Sequence, residues 1–375
     1  MAALHTREVD PANDLTSFVD FPYRLYKKNP YWVPPVKQME FAQFDPKKNP
    51  ALDHGIQKLW VAEKDGRVVG RIGCFINELE TQKRGEKQAR FNWLEFEDDP
   101  AISQHLLNAA SDWAKSQGAT LIKGPLGYSN FEAAGMTIEG FDELGAMGAP
   151  FHFPYYREHM ERAGYEKHYD YLEIVIEKVP TEIPEKLQRL QPIVEKKFGV
   201  RQVNVSNTEE VKKRAGELFA LVLDTYKDLP SFVPVSDRQI HHYIQQNIPF
   251  LLPEYMPLLE DPNGNLVGYG VIIPAFAKAL VRAKGRLFPF GLLHILWRRR
   301  YHDTVDLILI GVVDEWRNKG LNAIIFGNMV PVFKRKGVKK IYINPIIEEN
   351  QASLALFKDY DPRVFRRRRV FSQKL

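Results

Sequence analysis

The chain has 375 residues, of which 44% are hydrophobic and 26% charged, and its formal net charge is +5. This composition is typical of a globular protein with an ample core, and the length exceeds one average domain. The single cysteine, Cys74, excludes an intrachain disulfide framework and favours a reducing, cytoplasmic location. We expect no signal peptide and no membrane span, because long apolar runs are absent. The low net charge and the lack of Cys/His clusters argue against nucleic acid and metal.

Three segments of the first half of the chain recur in the second half. The matching pairs are 26–34 with 226–234, 63–77 with 260–274, and 111–125 with 330–345. The repetition predicts two copies of one α/β unit, each a mixed sheet with flanking helices. In each copy we expect a strand, a helical region, two strands, a strand, a helix, a strand, a helix and a strand. The expected boundaries are 1–178, a helical linker at 179–199 with apolar residues at helical spacing, and 200–375.

The first copy contains two polar segments that bear on function. At 91–107 (FNWLEFEDDPAISQHLL) three carboxylates, Glu97 to Asp99, precede a predicted helix, where they would repel an anionic ligand. Asp98 and Asp99 are also typical of a helix start. The loop GPLGYSNFEAAG at 124–135 is rich in glycine and follows a strand, which makes it a candidate substrate-binding loop. Its candidate side chains are Ser129, Asn130 and Glu132.

The second copy carries an insert, because the offset between matching glycines rises from 198 to 219 residues. The insert spans about 275–303 and joins an apolar run, Leu287–Trp297, to basic residues on both sides. This composition indicates a segment lying on an anionic membrane surface, or a lid over a long apolar substrate. A hairpin that covers the core between the copies is the alternative. Phe288, Phe290 and Trp297 are the candidate substrate contacts.

Residues 305–327 (VDLILIGVVDEWRNKGLNAIIFG) predict a strand, a glycine-containing turn and a helix. This order directs free N–H groups and the positive end of a helix dipole at one point, which favours a phosphate. An ordinary strand-to-helix turn with a solvated basic residue is the alternative.

The segment Arg317-Asn318-Lys319-Gly320-Leu321-Asn322 resembles motif A of the GNAT acyltransferases, Arg/Gln-x-x-Gly-x-Gly/Ala. Asn322 stands where glycine or alanine is usual. The order of elements in both copies resembles the GNAT fold as well. The resemblance implies acyl-CoA as co-substrate, with its pyrophosphate held by residues 317–322 and by the strand end at Val312 and Val313. The first copy lacks the motif, so we expect it to be a degenerate scaffold or the acceptor side.

The segment PIIEENQASLALFKDY at 345–360 resembles motif B of the same family, in which an asparagine precedes a helix that contacts CoA. Asn350 and Ser353 fit this pattern. Phe357 stands where many members carry a tyrosine acid, so the resemblance leaves two alternatives: Tyr360 replaces that acid, or the thiolate leaves without enzymic protonation.

Three further features remain open at this point. Glu348 is the candidate base for deprotonating an amine, or else a carboxylate favoured by a helix dipole. His152, at the asparagine position of a similar helix in the first copy, is either an acceptor-site residue or a helix cap. The basic run Arg366–Arg369 alternates sides if it forms a strand, and either meets phosphates or guards a sheet edge.

As a whole, the chain resembles the tandem-GNAT group that includes bacterial ceramide synthases. The resemblance implies transfer of a fatty acyl group to a sphingoid-like lipid amine. The composition of the insert, argued independently, predicts a cytoplasmic protein attached peripherally to the inner face of the membrane. One alternative is an acetyl-CoA-dependent N-acetyltransferase of a small soluble amine. The other is a non-catalytic membrane- or partner-binding module, which Asn322 and Phe357 favour.

Overall fold

The computed structural model describes residues 4–203, 205–229 and 232–375. Runs rich in Val, Ile and Leu form most of the central strands, and segments with apolar residues three or four apart form the helices. The strands are β1 His5–Glu8, β2 Gly55–Lys64, β3 Arg67–Asn77, β4 Gln88–Phe96, β5 Leu121–Gly124, β6 Met136–Glu139, β7 Glu166–Ile176, β8 Arg201–Val203, β9 Leu258–Glu260, β10 Leu266–Pro274, β11 Thr304–Val312, β12 Lys340–Ile347 and β13 Arg363–Lys374. The helices are α1 Leu15–Leu25, α2 Lys37–Gln43, α3 Glu78–Arg84, α4 Pro100–Ser116, α5 Tyr155–Arg162, α6 Glu185–Phe198, α7 Thr208–Tyr226, α8 Asp237–Asn247, α9 Ala277–Ala283, α10 Gly291–Arg300, α11 Leu321–Lys336 and α12 Gln351–Ala355.

The strands of the described residues form one sheet. Its order is β1-β2-β3-β4-β5-β13-β7-β12-β11-β10-β9-β8, and β6 pairs with β13. Parallel pairing occurs once in each copy, between β4 and β5 and between β11 and β12. The predicted mixed α/β fold of two repeated units is confirmed, with the short strand β6 as an addition in the first copy.

The two copies exchange their last strands. β13, which ends the second copy, pairs with β5 and β7 of the first copy, with Phe371 opposite Gly124. β7, which ends the first copy, pairs with β12 of the second, with Val175 opposite Tyr342. Each half of the sheet therefore contains a strand from the other copy. The boundaries at 178 and 200 stay a prediction of where the repeats begin and end.

The arginine run at 366–369 lies in β13, inside the sheet, so its interpretation as a charged edge strand is wrong. The four side chains do alternate, with Arg366 and Arg368 buried and Arg367 and Arg369 half-buried. Arg366 and Arg368 both form ion pairs with Glu173, and they donate to the carbonyl oxygens of Gly140 and Ala134, respectively. Arg367 and Arg369 both form ion pairs with Asp170. These partners belong to the protein itself, which leaves the expected contact to phosphates without support.

The linker forms α6, which packs along α11. Gln191 of α6 donates to the side chain of Asn328 at 2.9 Å. Leu187 and Val194 are buried at this contact, whereas Ile193 is 53% exposed. None of the helices in the described ranges has the length and apolar character needed to cross a bilayer.

Candidate functional site

The turn between β11 and α11 leaves the start of the helix uncapped. No side chain within the described residues caps the helix N-terminus, and Gly320 has a φ of +85°, which glycine adopts without strain. The Ala323 N–H bonds to the Gly320 carbonyl at 2.9 Å, so Leu321 and Asn322 supply the N–H groups that lack intrahelical acceptors and lie at the positive end of the helix dipole, at an exposed turn. A phosphate fits this arrangement.

Basic side chains border this turn. Arg317 is exposed and pairs with Asp314 at 2.8 Å. The Lys319 ammonium lies 4.4 Å from the ring centroid of Trp316. The other predicted CoA contacts in this region differ in exposure. Asn318 is exposed and has a φ of +61°, and Leu321, the first residue of α11, is buried. Three are half-buried: Val312, Val313 and Asn322.

A wedge opens between β11 and β12 next to this turn. The parallel pairing of these strands ends at Leu307 opposite Ile343. Beyond this point β11 continues to pair with β10 on its other side as far as Val312, and β12 continues along β7. The backbone groups of residues 308–312 that face β12 are thus unpaired with that strand and free to bond an extended ligand.

The segment after β12 supplies one wall of a cavity beneath α11. The Asn350 side chain accepts a hydrogen bond from the Ser353 N–H at 3.1 Å and so caps α12. Phe357 is buried, and its ring lines the cavity together with Tyr360. Burial raises the pKa of Tyr360 to about 12, so its hydroxyl is protonated at neutral pH.

Glu348 follows β12 directly and is already engaged by two cations. Its carboxylate lies 3.0 Å from the Lys167 ammonium and 2.6 Å from the Arg367 guanidinium. To take a proton from a substrate it would have to give up part of this ion-pair network. Its role as a base stays a prediction.

The loop at 124–135 joins the first copy to α8 of the second. The Ser129 hydroxyl lies 2.8 Å from the Tyr243 hydroxyl, which donates to the Glu132 carboxylate at 3.0 Å. Asn130 accepts from the backbone N–H of Val233 at 2.9 Å. Burial raises the pKa of Glu132 to about 7. The three predicted side chains thus lie close together, at the junction between the copies.

His152 precedes α5 without capping it. Its Nδ1 accepts from the backbone N–H of Thr137 at 3.2 Å, whereas the cap position is held by Pro154. The helix-cap interpretation is therefore wrong. Burial and the nearby guanidinium groups of Arg368 and Arg366 lower the pKa of His152 to about 3, so the ring is neutral.

The corresponding turn of the first copy is closed by its own acidic side chains. Asp99 caps α4 by accepting from the Ala101 N–H at 2.9 Å, as predicted for a helix start. Asp98 instead pairs with His159 at 3.0 Å. Glu97 pairs with Arg67. The Asp99 side chain already occupies the Ala101 N–H, and Pro100 at the first position of α4 has no N–H to offer a phosphate, which agrees with the first copy being degenerate.

Asp306, which the sequence analysis did not single out, is a buried carboxylate on β11. It is 2% exposed, and no side chain of the described residues donates a hydrogen bond to its oxygens. The backbone N–H of Met147 lies close enough to lower its pKa in part. Burial and the neighbouring Glu173 carboxylate raise its pKa to about 7. Successive strand residues point to opposite faces, so Asp306 points away from the α11 cavity, which Leu307 lines. A lone aspartate within the apolar run VDLILI was the signal available in the sequence.

The insert forms α9 and α10 on the face of the sheet to which Asp306 points. Its inner side packs on a buried cluster through Leu280 and Ile295. Its outer side exposes large apolar side chains: Phe288 69%, Phe290 68%, Leu293 60%, Leu296 50% and Trp297 55%. The insert therefore covers the core with one side, as the hairpin alternative held, and presents an apolar patch with the other. Within the described residues no group of three or more His, Cys, Asp or Glu is suited to a metal.

The sheet order, the wedge between two parallel strands and the turn that follows β11 define a tandem GNAT fold. A tandem GNAT protein from the clavulanic acid biosynthesis pathway aligns with a TM-score of 0.58 and 13% identity, covering 99% of this chain and 98% of that one. The chain is thus a protein of tandem GNAT fold.

Two curated proteins are similar over nearly the full length. Protein YghO of Escherichia coli K12 is 29% identical over 369 residues, which is 97% of this chain and 93% of that protein. A bacterial ceramide synthase of Caulobacter vibrioides is 26% identical over 378 residues, which is 96% of this chain and 95% of that protein. No model of a known protein family matches the chain.

Proposed function

We propose that the chain is an acyl-CoA-dependent N-acyltransferase, that its second copy binds the acyl-CoA, and that the acceptor is the primary amine of a long-chain, sphingoid-like lipid. The observation that carries the proposal is the wedge between β11 and β12 beside the uncapped start of α11. Similarity to a protein named bacterial ceramide synthase supports the same choice of substrates.

The chemistry of the wedge suits acyl-CoA. The free N–H groups of α11, with Arg317 and Lys319 nearby, would hold the pyrophosphate. The unpaired backbone groups of residues 308–312 would bond the amides of the pantetheine arm. Bound acyl-CoA supplies a thioester carbonyl that an amine can attack.

Acylation needs a neutral amine, so a group must take a proton from the substrate ammonium. Asp306 is a better candidate for this than Glu348, because burial and the neighbouring Glu173 disfavour its charged form, whereas Lys167 and Arg367 hold Glu348 in its charged form. The Asp306 carboxylate accepts one proton, and the amine nitrogen then forms a bond to the thioester carbon. The C–S bond breaks, and the second proton of the nitrogen goes to the thiolate. On this path Tyr360 is not needed as an acid.

The insert supports a lipid as the acceptor. Its exposed apolar patch lies on the face to which Asp306 points, so an amine with a long chain would enter from that side. Exposed basic residues border the patch, among them Lys284, Arg286 and Arg300, and they favour an anionic membrane surface. A small soluble amine acetylated from acetyl-CoA is the second candidate, because Asp306 is covered and a small amine reaches it more easily.

A thermal-shift and calorimetric titration with CoA, acetyl-CoA and palmitoyl-CoA tests the proposal. Arg317→Glu should weaken binding of all three by reversing a charge at the phosphate turn. Gly320→Phe should weaken binding further. Gly320 has a left-handed backbone conformation, and a Cβ at this position would lie 3.0 Å from the Val194 side chain. Arg67→Glu, beside the closed turn of the first copy, is the matched control and should leave binding unchanged.

Two results would count against the proposal. If the parent protein binds none of the three ligands, the chain is a non-catalytic module. If Arg317→Glu and Gly320→Phe bind as tightly as the parent, the CoA site lies elsewhere.

A further inference from the structure

Beneath α11 lies a cavity whose walls are almost entirely apolar. Its floor is formed by one side chain from each of four adjacent strands: Ile272 of β10, Leu307 of β11, Ile341 of β12 and Ile176 of β7. Its roof is formed by Met329 and Phe333 of α11. None of the described residues that line it is charged, so water in the cavity would find few partners.

The cavity lies next to the place where the thioester would sit. Ile310 lies on the part of β11 that no longer pairs with β12, and it lines the cavity. Phe357 and Tyr360, from the segment after β12, line it as well. A chain attached to a thioester in the wedge would therefore pass from Ile310 under α11 toward Ile176. The side of the sheet that carries Asp306 is the opposite one.

The helix above the cavity contains a proline. Pro331 lies in the middle of α11, where its ring removes one helical hydrogen bond and crowds the carbonyl of Gly327. The outer face of α11 is held by α6 through Gln191 and Asn328. The helix is thus fixed from outside while its inner face leaves space over the sheet.

On the basis of the proposed function, we propose that this cavity is the binding site for the aliphatic chain of the acyl donor. It holds about 40 Å³, room for roughly three water-sized groups. A longer chain extends back toward the wedge or displaces the flexible side chain of Met329. Each methylene buried in an apolar site raises affinity about fourfold. Affinity should therefore rise with chain length and level off once the cavity is filled.

The test compares CoA, acetyl-CoA, octanoyl-CoA and palmitoyl-CoA by calorimetry on the full chain, with turnover measured in parallel. Met329→Trp fills the cavity and should shift the preferred donor to shorter chains, with at least a tenfold loss for palmitoyl-CoA and none for acetyl-CoA. Phe333→Leu widens it and should favour longer chains. Arg335→Trp, on the exposed side of the same helix, is the control and should keep the parent's profile.

Binding of CoA by each variant reports that it is folded and that the phosphate site is intact. If Met329→Trp and Phe333→Leu both bind CoA and keep the parent's chain-length profile, the cavity is not the acyl site, while the proposed function stands. If no acyl-CoA binds even to the parent, both proposals fall together. Should one variant fail to fold, the other decides, because the two predict opposite shifts.

Discussion

Two carboxylates near the wedge differ in how much each would have to give up to accept a proton. Glu348 is held by Lys167 and Arg367, so protonation would weaken two ion pairs. Asp306 is buried beside Glu173, and both the burial and the neighbouring carboxylate disfavour its charged form. Its pKa is therefore raised to about 7. A group with a pKa near the working pH is the more effective general base.

We therefore expect the rate of acyl transfer to rise with pH through about 7, as Asp306 becomes charged. Asp306→Asn should lower the rate by about 100-fold or more and abolish this inflection, because general base catalysis contributes 10²–10⁴-fold. Glu348→Gln should keep the inflection and lose less activity. Steady-state kinetics from pH 5.5 to 9 with saturating acyl-CoA measures both. An unchanged profile in Asp306→Asn, together with loss of activity in Glu348→Gln, would return the role of base to Glu348.

The same substitution has a consequence for stability. The folded-state pKa of Asp306 lies above its unfolded value of 3.8, so the folded protein binds more protons between these two values. Its contribution to the free energy of unfolding is therefore most favourable below pH 4 and declines as pH rises to about 7. The melting temperature of Asp306→Asn, relative to the parent, should accordingly increase between pH 5 and pH 8. A difference that stays constant over this range would mean that Asp306 is ionised throughout.

At the residue scale, the sequence predicted where the candidate side chains lie better than it predicted which residues they contact. The turn Arg317–Asn322 and the loop with Ser129 and Glu132 lie where the order of strands and helices suggested. Tyr243, which joins Ser129 to Glu132, could not be predicted, because it comes from a helix more than 100 residues away and no local pattern marks it. Asp306 was predictable in principle from its apolar surroundings, but its burial beside Glu173, with no described side chain donating to it, is visible only in three dimensions.

At the scale of elements, the exchange of last strands determines what can fold alone. β13 fills the space between β5 and β7, and β7 fills the space beside β12. Periodicity in the sequence predicts that both segments are strands, but it carries no information on which copy each one joins. Two copies with the same pattern can pair within themselves or with each other, and only the tertiary contacts select between these arrangements.

We expect neither half of the chain to fold by itself. Residues 1–178 alone would leave β5 and β7 without the strand between them, and residues 200–375 would leave β12 without β7, so long rows of N–H and C=O groups would be unpaired. Each half expressed alone should be aggregated or lack a cooperative thermal transition by circular dichroism. A chain cut between 179 and 184, with both pieces co-expressed, is the control and should assemble. A cooperative transition of 200–375 alone at the parent's melting temperature would contradict this expectation.

At the scale of the whole molecule, the insert is the feature that separates this chain from a plain pair of repeats. Its exposed side combines aromatic and aliphatic side chains with basic ones, and the two kinds of group act on a membrane in different ways. Burial of a large apolar side chain contributes about 1.5–3 kcal/mol, and a basic residue near an anionic surface about 1 kcal/mol.

The structure shows that the arginines at the end of α10 are poor choices for a test of membrane binding. Arg298 pairs with Asp303 and Arg299 donates to the Leu251 carbonyl, so reversing their charge would disturb the fold as well.

Phe288→Asp combined with Phe290→Asp should therefore release the protein from vesicles that contain anionic lipid, because both side chains are more than two-thirds exposed and make the largest apolar contribution available. Turnover of a lipid amine presented in vesicles should fall at least tenfold, while turnover of a short, soluble amine should stay near the parent's value. Ile193→Asp is the matched control, since Ile193 is also exposed and apolar but lies on α6, away from the patch. Vesicle sedimentation at low and high salt separates the two kinds of contribution, because only the basic residues are screened. If the parent does not sediment with anionic vesicles even at low salt, the patch does not attach the protein to a membrane, and a small soluble amine becomes the better candidate for the acceptor.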